Sequence, residues 1–105
     1  MNIKVTETWR GHELQLIFTE GEPFCGERVV MTGASMTRGF NADPSSAAWL
    51  KNGERVPLTR EERTIVSETV KKANESNAFK ICYYGKPVGQ PVTVKKSEPI
   101  SLGLR

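Results

Sequence analysis

Histidine and cysteine are few in this chain of 105 residues, and each shortage narrows the chemistry open to it. The one histidine is His12. A histidine-dependent triad needs a nucleophile and an orienting carboxylate beside the imidazole, and a metal centre needs several His, Cys or carboxylate ligands brought together. Neither set is evident around "RGHE", residues 10–13, so His12 reads as a solvated hairpin-turn residue. The two cysteines, Cys25 and Cys82, lie far apart without CxxC spacing, which argues against a zinc site and a disulfide framework. Both are expected to be buried thiols. No metal or cofactor is implied.

Long apolar runs are missing as well. Nothing approaches the roughly 18 residues that span a bilayer, and the N-terminal "MNIKVTETWRGHE" lacks the cationic and then apolar pattern of a secretory signal. No membrane partner is expected, and the default location is cytoplasmic. "TGASMTRG", residues 32–39, has neither the lysine nor the spacing of the phosphate loop GxxxxGK[ST]. Charge does not gather into a block of one sign. The net +3 covers four Lys or Arg against six Asp or Glu in residues 1–49, and five against one in 77–105. A mildly acidic part and a basic tail fall short of the dense field of a DNA binder.

What is present is the composition of a folded protein, 37% hydrophobic and 26% charged, in a length that suits one domain over 1–105, with 97–105 as an extended tail. Ile3, Val5 and Trp9 alternate with polar residues, and Leu14, Leu16 and Phe18 do the same, which predicts two half-buried strands joined at "RGHE". A third strand is expected at residues 28–32. Residues 32–46, "TGASMTRGFNADPSS", are rich in turn formers and predict a loop with at most a short strand at 37–41.

From Leu58 the period changes. Leu58, Ile65, Val66, Thr69, Val70 and Ala73 share one helical face, and Thr59 followed by Glu62 is the S/T-x-x-E capping box, so an amphipathic helix is expected over about 59–75. Phe79, Ile81 and Tyr83 mark a further strand, whose apolar second face suits an interior sheet position. Val92 and Val94 suit a short strand. Ile100, Leu102 and Leu104 alternate in the tail, which suits docking on a sheet edge and a homodimer built through it. The order implies an α+β fold: an antiparallel sheet of four to six strands with the one helix on a face.

For function, the connection over residues 33–52 is long for so small a domain, and it carries Met36, Arg38, Phe40, Trp49, Lys51 and Arg55, residue types that anchor protein interfaces. These six form the expected partner-binding surface of a non-catalytic protein-binding module. The alternatives at this point are that the segment is an irregular edge closing the sheet, and that Trp49 packs on the helix as core. A nucleic-acid-associated accessory protein would use Arg38, Lys51, Arg55, Arg60 and Arg63 with Phe40 and Trp49 as stacking faces, or the basic 77–105 segment; Glu54, Glu61 and Glu62 cancel much of the first field. An enzyme would require His12, Glu20 or Glu22 to converge in a pocket, although Glu20 and Glu22 read as solvated residues flanking a turn glycine.

Residues 48–84, "AWLKNGERVPLTREERTIVSETVKKANESNAFKICYY", run from a Trp through a Gly-containing turn and a Pro-Leu-Thr helix start to an amphipathic helix and a strand. This stretch resembles the C-terminal half of small bacterial immunity proteins that neutralise polymorphic or contact-dependent toxins. The resemblance implies a cytoplasmic protein that occludes a toxin by binding it and carries no chemistry of its own.

Overall fold

The computed structural model describes residues 1–89. Among the described residues eight strands and one α-helix form an α+β fold: β1 (Asn2–Thr8), β2 (Gly11–Ile17), β3 (Arg28–Met36), β4 (Gly39–Ala42), β5 (Ala48–Lys51), β6 (Glu54–Pro57), α1 (Arg60–Ser76), β7 (Lys80–Tyr83) and β8 (Lys86–Pro87). All pair in one mixed, mostly antiparallel sheet in the order β1-β2-β3-β4-β7-β8, while β5 also pairs β3 and carries β6. Among the described strands the one parallel pair is β4 with β7, because α1 carries the chain back across the sheet before β7 begins.

The alternation read from sequence sets the inward face. Leu14, Leu16, Phe18, Val29, Met31, Phe40, Trp49 and Ile81 form the core with Leu58, Val66 and Val70 from the helix side. The first hairpin closes one step earlier than expected. Thr8 pairs with Gly11, so the turn is Trp9–Arg10, and His12 lies on β2 opposite Glu7 and Gly33. Trp9, expected on a half-buried strand, is instead 86% exposed at that turn.

The segment expected as a loop is mostly sheet. β3 runs on to Met36 and turns back as β4, a 3-10 turn follows at Pro44–Ser46, and β5 and β6 close a second hairpin. Its turn formers have other work. Gly33 and Gly39 are strand residues at close approaches: a Cβ would sit 2.1 Å from the Asn41 carbonyl oxygen at Gly33 and 2.1 Å from that of Lys80 at Gly39. "DPSS" makes the one-turn connector. Asp43 accepts from the Ser45 amide and hydroxyl at 3.0 and 2.7 Å, which holds its carboxyl below the usual range.

The sheet forks at Thr32. Before it, Val29 and Val30 pair with Trp49 and Ala48 of β5; after it, Gly33 to Met36 pair with β4. The Thr32 amide donates to Ser46 Oγ at 2.9 Å and its carbonyl accepts from the Asp43 amide at 2.9 Å, so its polar groups stay paired where neither strand reaches. At β5–β6 the turn is Asn52–Gly53, with φ of 53° and 82°, the paired left-handed geometry of a type I′ hairpin.

Helix α1 starts as the sequence dictates. Thr59 Oγ1 accepts from the Glu62 amide at 3.1 Å, and Glu62 Oε1 accepts from the Thr59 amide at 2.8 Å. Val66, Thr69, Val70 and Asn74 face the sheet, whereas Ile65, expected among them, is 38% exposed. Strand β7 is interior, between β4 and β8. The tail 97–105, the strand expected at Val92 and Val94, and the homodimer edge at Ile100, Leu102 and Leu104 lie outside the described residues.

Candidate functional site

The fold scatters the six residues expected to form one partner-binding surface. Phe40 is fully buried, and Trp49 is 4% exposed, both in the hydrophobic core. Each lies on the inward register of its strand, and that alternation overrides the interface preference of an aromatic side chain. Met36 and Arg38 are exposed at the β3–β4 turn. Lys51 sits at the other end of β3, where Nζ lies 3.5 Å from Glu27 Oε1 and 5.9 Å from the centre of the Trp49 ring. The length of β3 puts roughly 27 Å between these ends. Arg55 is on the sheet face away from the helix, in an ion pair with Glu13.

What gathers instead is an end of the sheet. The Trp9–Arg10 turn projects beyond the first hairpin, and the Arg10 guanidinium carbon lies 4.4 Å from the centre of the Trp9 ring. The β2–β3 register ends with His12 opposite Gly33, so the Trp9–Arg10 turn lies at the same end of the sheet as the last residues of β3 and the turn that follows them. Met36 is 40% exposed, and Arg38 follows in the next turn. Two neighbouring turns thus present an indole, a thioether and two guanidinium groups at one end. Met36 and Arg38, expected on a partner-binding surface, are exposed here; the turn position of Trp9 was missed because period-two alternation extended the first strand into the turn. The signal was Gly11, which has φ of 148° and follows a two-residue turn.

On the face away from α1 runs a second polar constellation. Gln15 donates from Nε2 to Glu13 Oε1 at 3.4 Å, Arg28 Nη1 donates to Gln15 Oε1 at 3.2 Å, and Arg55 binds Glu13 Oε2. From β6 to β2 a flat sheet would measure roughly 14 Å, so the paired side chains lie along the face instead of standing off it. Between them lie Val30 and Ala48, both buried although the helix is on the other side.

The residues an enzyme would need do not converge. His12 is near the Trp9–Arg10 turn, whereas Glu22 is beyond the other end of the first hairpin. Burial would raise the Glu22 carboxyl, but bonds from the Thr19 amide at 2.7 Å and the Thr19 hydroxyl at 3.0 Å, and the Met1 ammonium at 2.9 Å, hold it below the usual range. Among the described residues no three His, Cys, Asp or Glu side chains are placed to hold a metal ion. Of the two cysteines, Cys82 is buried, and burial pushes its thiol up. Cys25, expected to be buried, is exposed. In its turn Phe24 takes the inward position, with φ of 59°, and meets the Trp49 ring edge-on at 4.9 Å between centres.

The chain was compared with protein-family models, with curated proteins and with solved structures, and none matches it. Among the described residues no helix is long and apolar enough to cross a membrane.

Proposed function

We propose that this protein is a non-catalytic protein-binding module that docks its partner through the hairpin end carrying Trp9, Arg10, Met36 and Arg38. The observation that carries the reading is the 86% exposure of Trp9 at a two-residue turn, under an arginine. A large apolar ring left in water is unfavourable for a chain folding alone, and Trp and Arg dominate the energetic centres of protein interfaces. Cation–π stacking also limits the ring's motion before binding, which reduces the entropy lost on docking. In the specific form suggested by residues 48–84, the partner is a toxin met in the cytoplasm, and the bound module occludes it.

The test is affinity capture from the host's own lysate, after nuclease treatment and a salt wash, using the wild type and the double variant Trp9→Ala/Arg38→Glu. A protein retained by the wild type and lost from the variant supports the reading. Equal retention by both, or a wild-type column that yields only nucleic acid or nothing, overturns it.

A further inference from the structure

We infer that the sheet face away from α1, which none of the described elements covers, is a second docking surface, shaped for an acidic segment of a partner protein. The surface is separate from the hairpin end, and neither proposal depends on the other.

The inference starts from register. Lys4 of β1 pairs with Gln15 of β2, and both side chains point away from the core. From the other side Arg28 of β3 donates to the same Gln15 amide. Gln15 is therefore flanked by two cations and is itself neutral. Further along β2, Glu13 is 8% exposed and takes Arg55 from β6. In this band across β1, β2, β3 and β6, three cations face one carboxylate, and that carboxylate is already engaged. Among the described residues neither Lys4 nor Arg28 is in an ion pair. The exposed side of α1, by contrast, interleaves the two signs, as in Glu68, Lys71, Lys72 and Glu75.

Two further features define the ligand. The floor of the band is apolar where Val30 and Ala48 are buried, which lowers the local dielectric and strengthens a charge pair formed over it. The band also carries no aromatic side chain on which a base could stack. Carboxylates spaced along a peptide can meet Lys4 and Arg28 while Glu13 stays bound to Arg55. That geometry favours an acidic protein segment over a nucleic acid.

The experiment is fluorescence anisotropy of a labelled alternating Asp-Glu peptide titrated with the full chain at low salt. A single-stranded oligonucleotide of equal charge serves as the competing probe. Lys4→Glu/Arg28→Gln, checked for an unchanged circular dichroism spectrum, is expected to weaken peptide binding by about tenfold. Lys71→Glu/Lys72→Gln, which changes the net charge equally on the helix side, is expected to leave it unchanged. No binding of the peptide, equal weakening by the helix-side variant, or tighter binding of the oligonucleotide would each overturn the inference.

Discussion

Trp49 Nε1 donates to Glu62 Oε1 at 3.0 Å, and the same oxygen accepts from the Thr59 amide at 2.8 Å. One carboxylate thus closes the helix cap and ties the helix start to the β5–β6 hairpin. The Thr59 amide bond is the larger cause of the Glu62 carboxyl lying below its usual range, with the indole bond next. A carboxyl held low when folded contributes stability above its unfolded value, near 4.5, and loses that contribution as pH falls through the lower folded value. The urea midpoint of the wild type should exceed that of Glu62→Gln at neutral pH, and the gap should narrow as the pH is taken below that unfolded value. A gap that widens in acid would contradict this account.

The indole bond should be measurable separately. Trp49→Phe keeps most of the buried ring and removes the donor, and it is expected to cost about 1 kcal/mol beyond the loss of apolar area. Thr59→Ala, which removes the other half of the cap, should cost about 1 kcal/mol as well. Because the two bonds removed meet at one residue, the indole bond at the Glu62 carboxylate and the hydroxyl bond at the Glu62 amide, the double variant should depart from the sum of the single ones. Chemical denaturation of all three variants tests this.

Asn74 is the polar residue on which the β7–β8 end depends. Its amide nitrogen donates to the carbonyls of Ile81 and Val88, each at 2.9 Å, and its Oδ1 accepts from the Ile81 amide at 2.9 Å. Asn74→Leu fills similar volume and removes all three bonds, leaving the Ile81 amide and the Val88 carbonyl without these partners while the Ile81 carbonyl keeps the Val88 amide, with an expected loss of about 3 kcal/mol. Asn74→Asp keeps the acceptor but not the donors, and should also destabilise at neutral pH. Urea midpoints near those of the wild type would show that water replaces the amide at no cost.

Gly33→Ala and Gly39→Ala should each cost about 2 kcal/mol, on the order of 10 °C in Tm for a domain of this size, because a Cβ at either site meets backbone oxygen. Gly53→Ala meets no atom within 4 Å and suffers only from its φ of 82°. It should lose less, about 1 kcal/mol. Thermal melts of the three variants separate close approach from backbone strain.

The thiols should report the loop geometry. Under native conditions iodoacetamide should add once, at Cys25, and in denaturant twice, as read by intact mass. Cys82 is shielded by burial and its thiol is pushed up, so it holds less of the reactive thiolate at neutral pH.

Local grammar was legible wherever one signal had one structural meaning. The capping box at Thr59 and Glu62, the inward alternation of Leu14, Leu16 and Phe18, and the interior placement of Ile81 all follow from periods and side-chain chemistry that act within a few residues. The candidate site was legible only in part. Met36 and Arg38 are exposed at a turn, but Phe40 and Trp49 share the residue types of an interface and the register of a core. Composition cannot separate those two uses, and neither could it show that Gly33 and Gly39 serve strands.

The sequence by itself determined the α+β class, the helix and its start, and most of the inward-facing residues, because hydrophobic period and capping are local properties of a chain. Only the tertiary structure decided that the Trp49 indole donates to the carboxylate that closes the helix cap, that Asn74 completes a sheet end, that Trp9 stands in solvent at a turn, and that Lys4, Gln15 and Arg28 meet on one face. Each of these depends on which strands pair and in what register. That is fixed by burying the whole core at once, a condition no short stretch of residues contains.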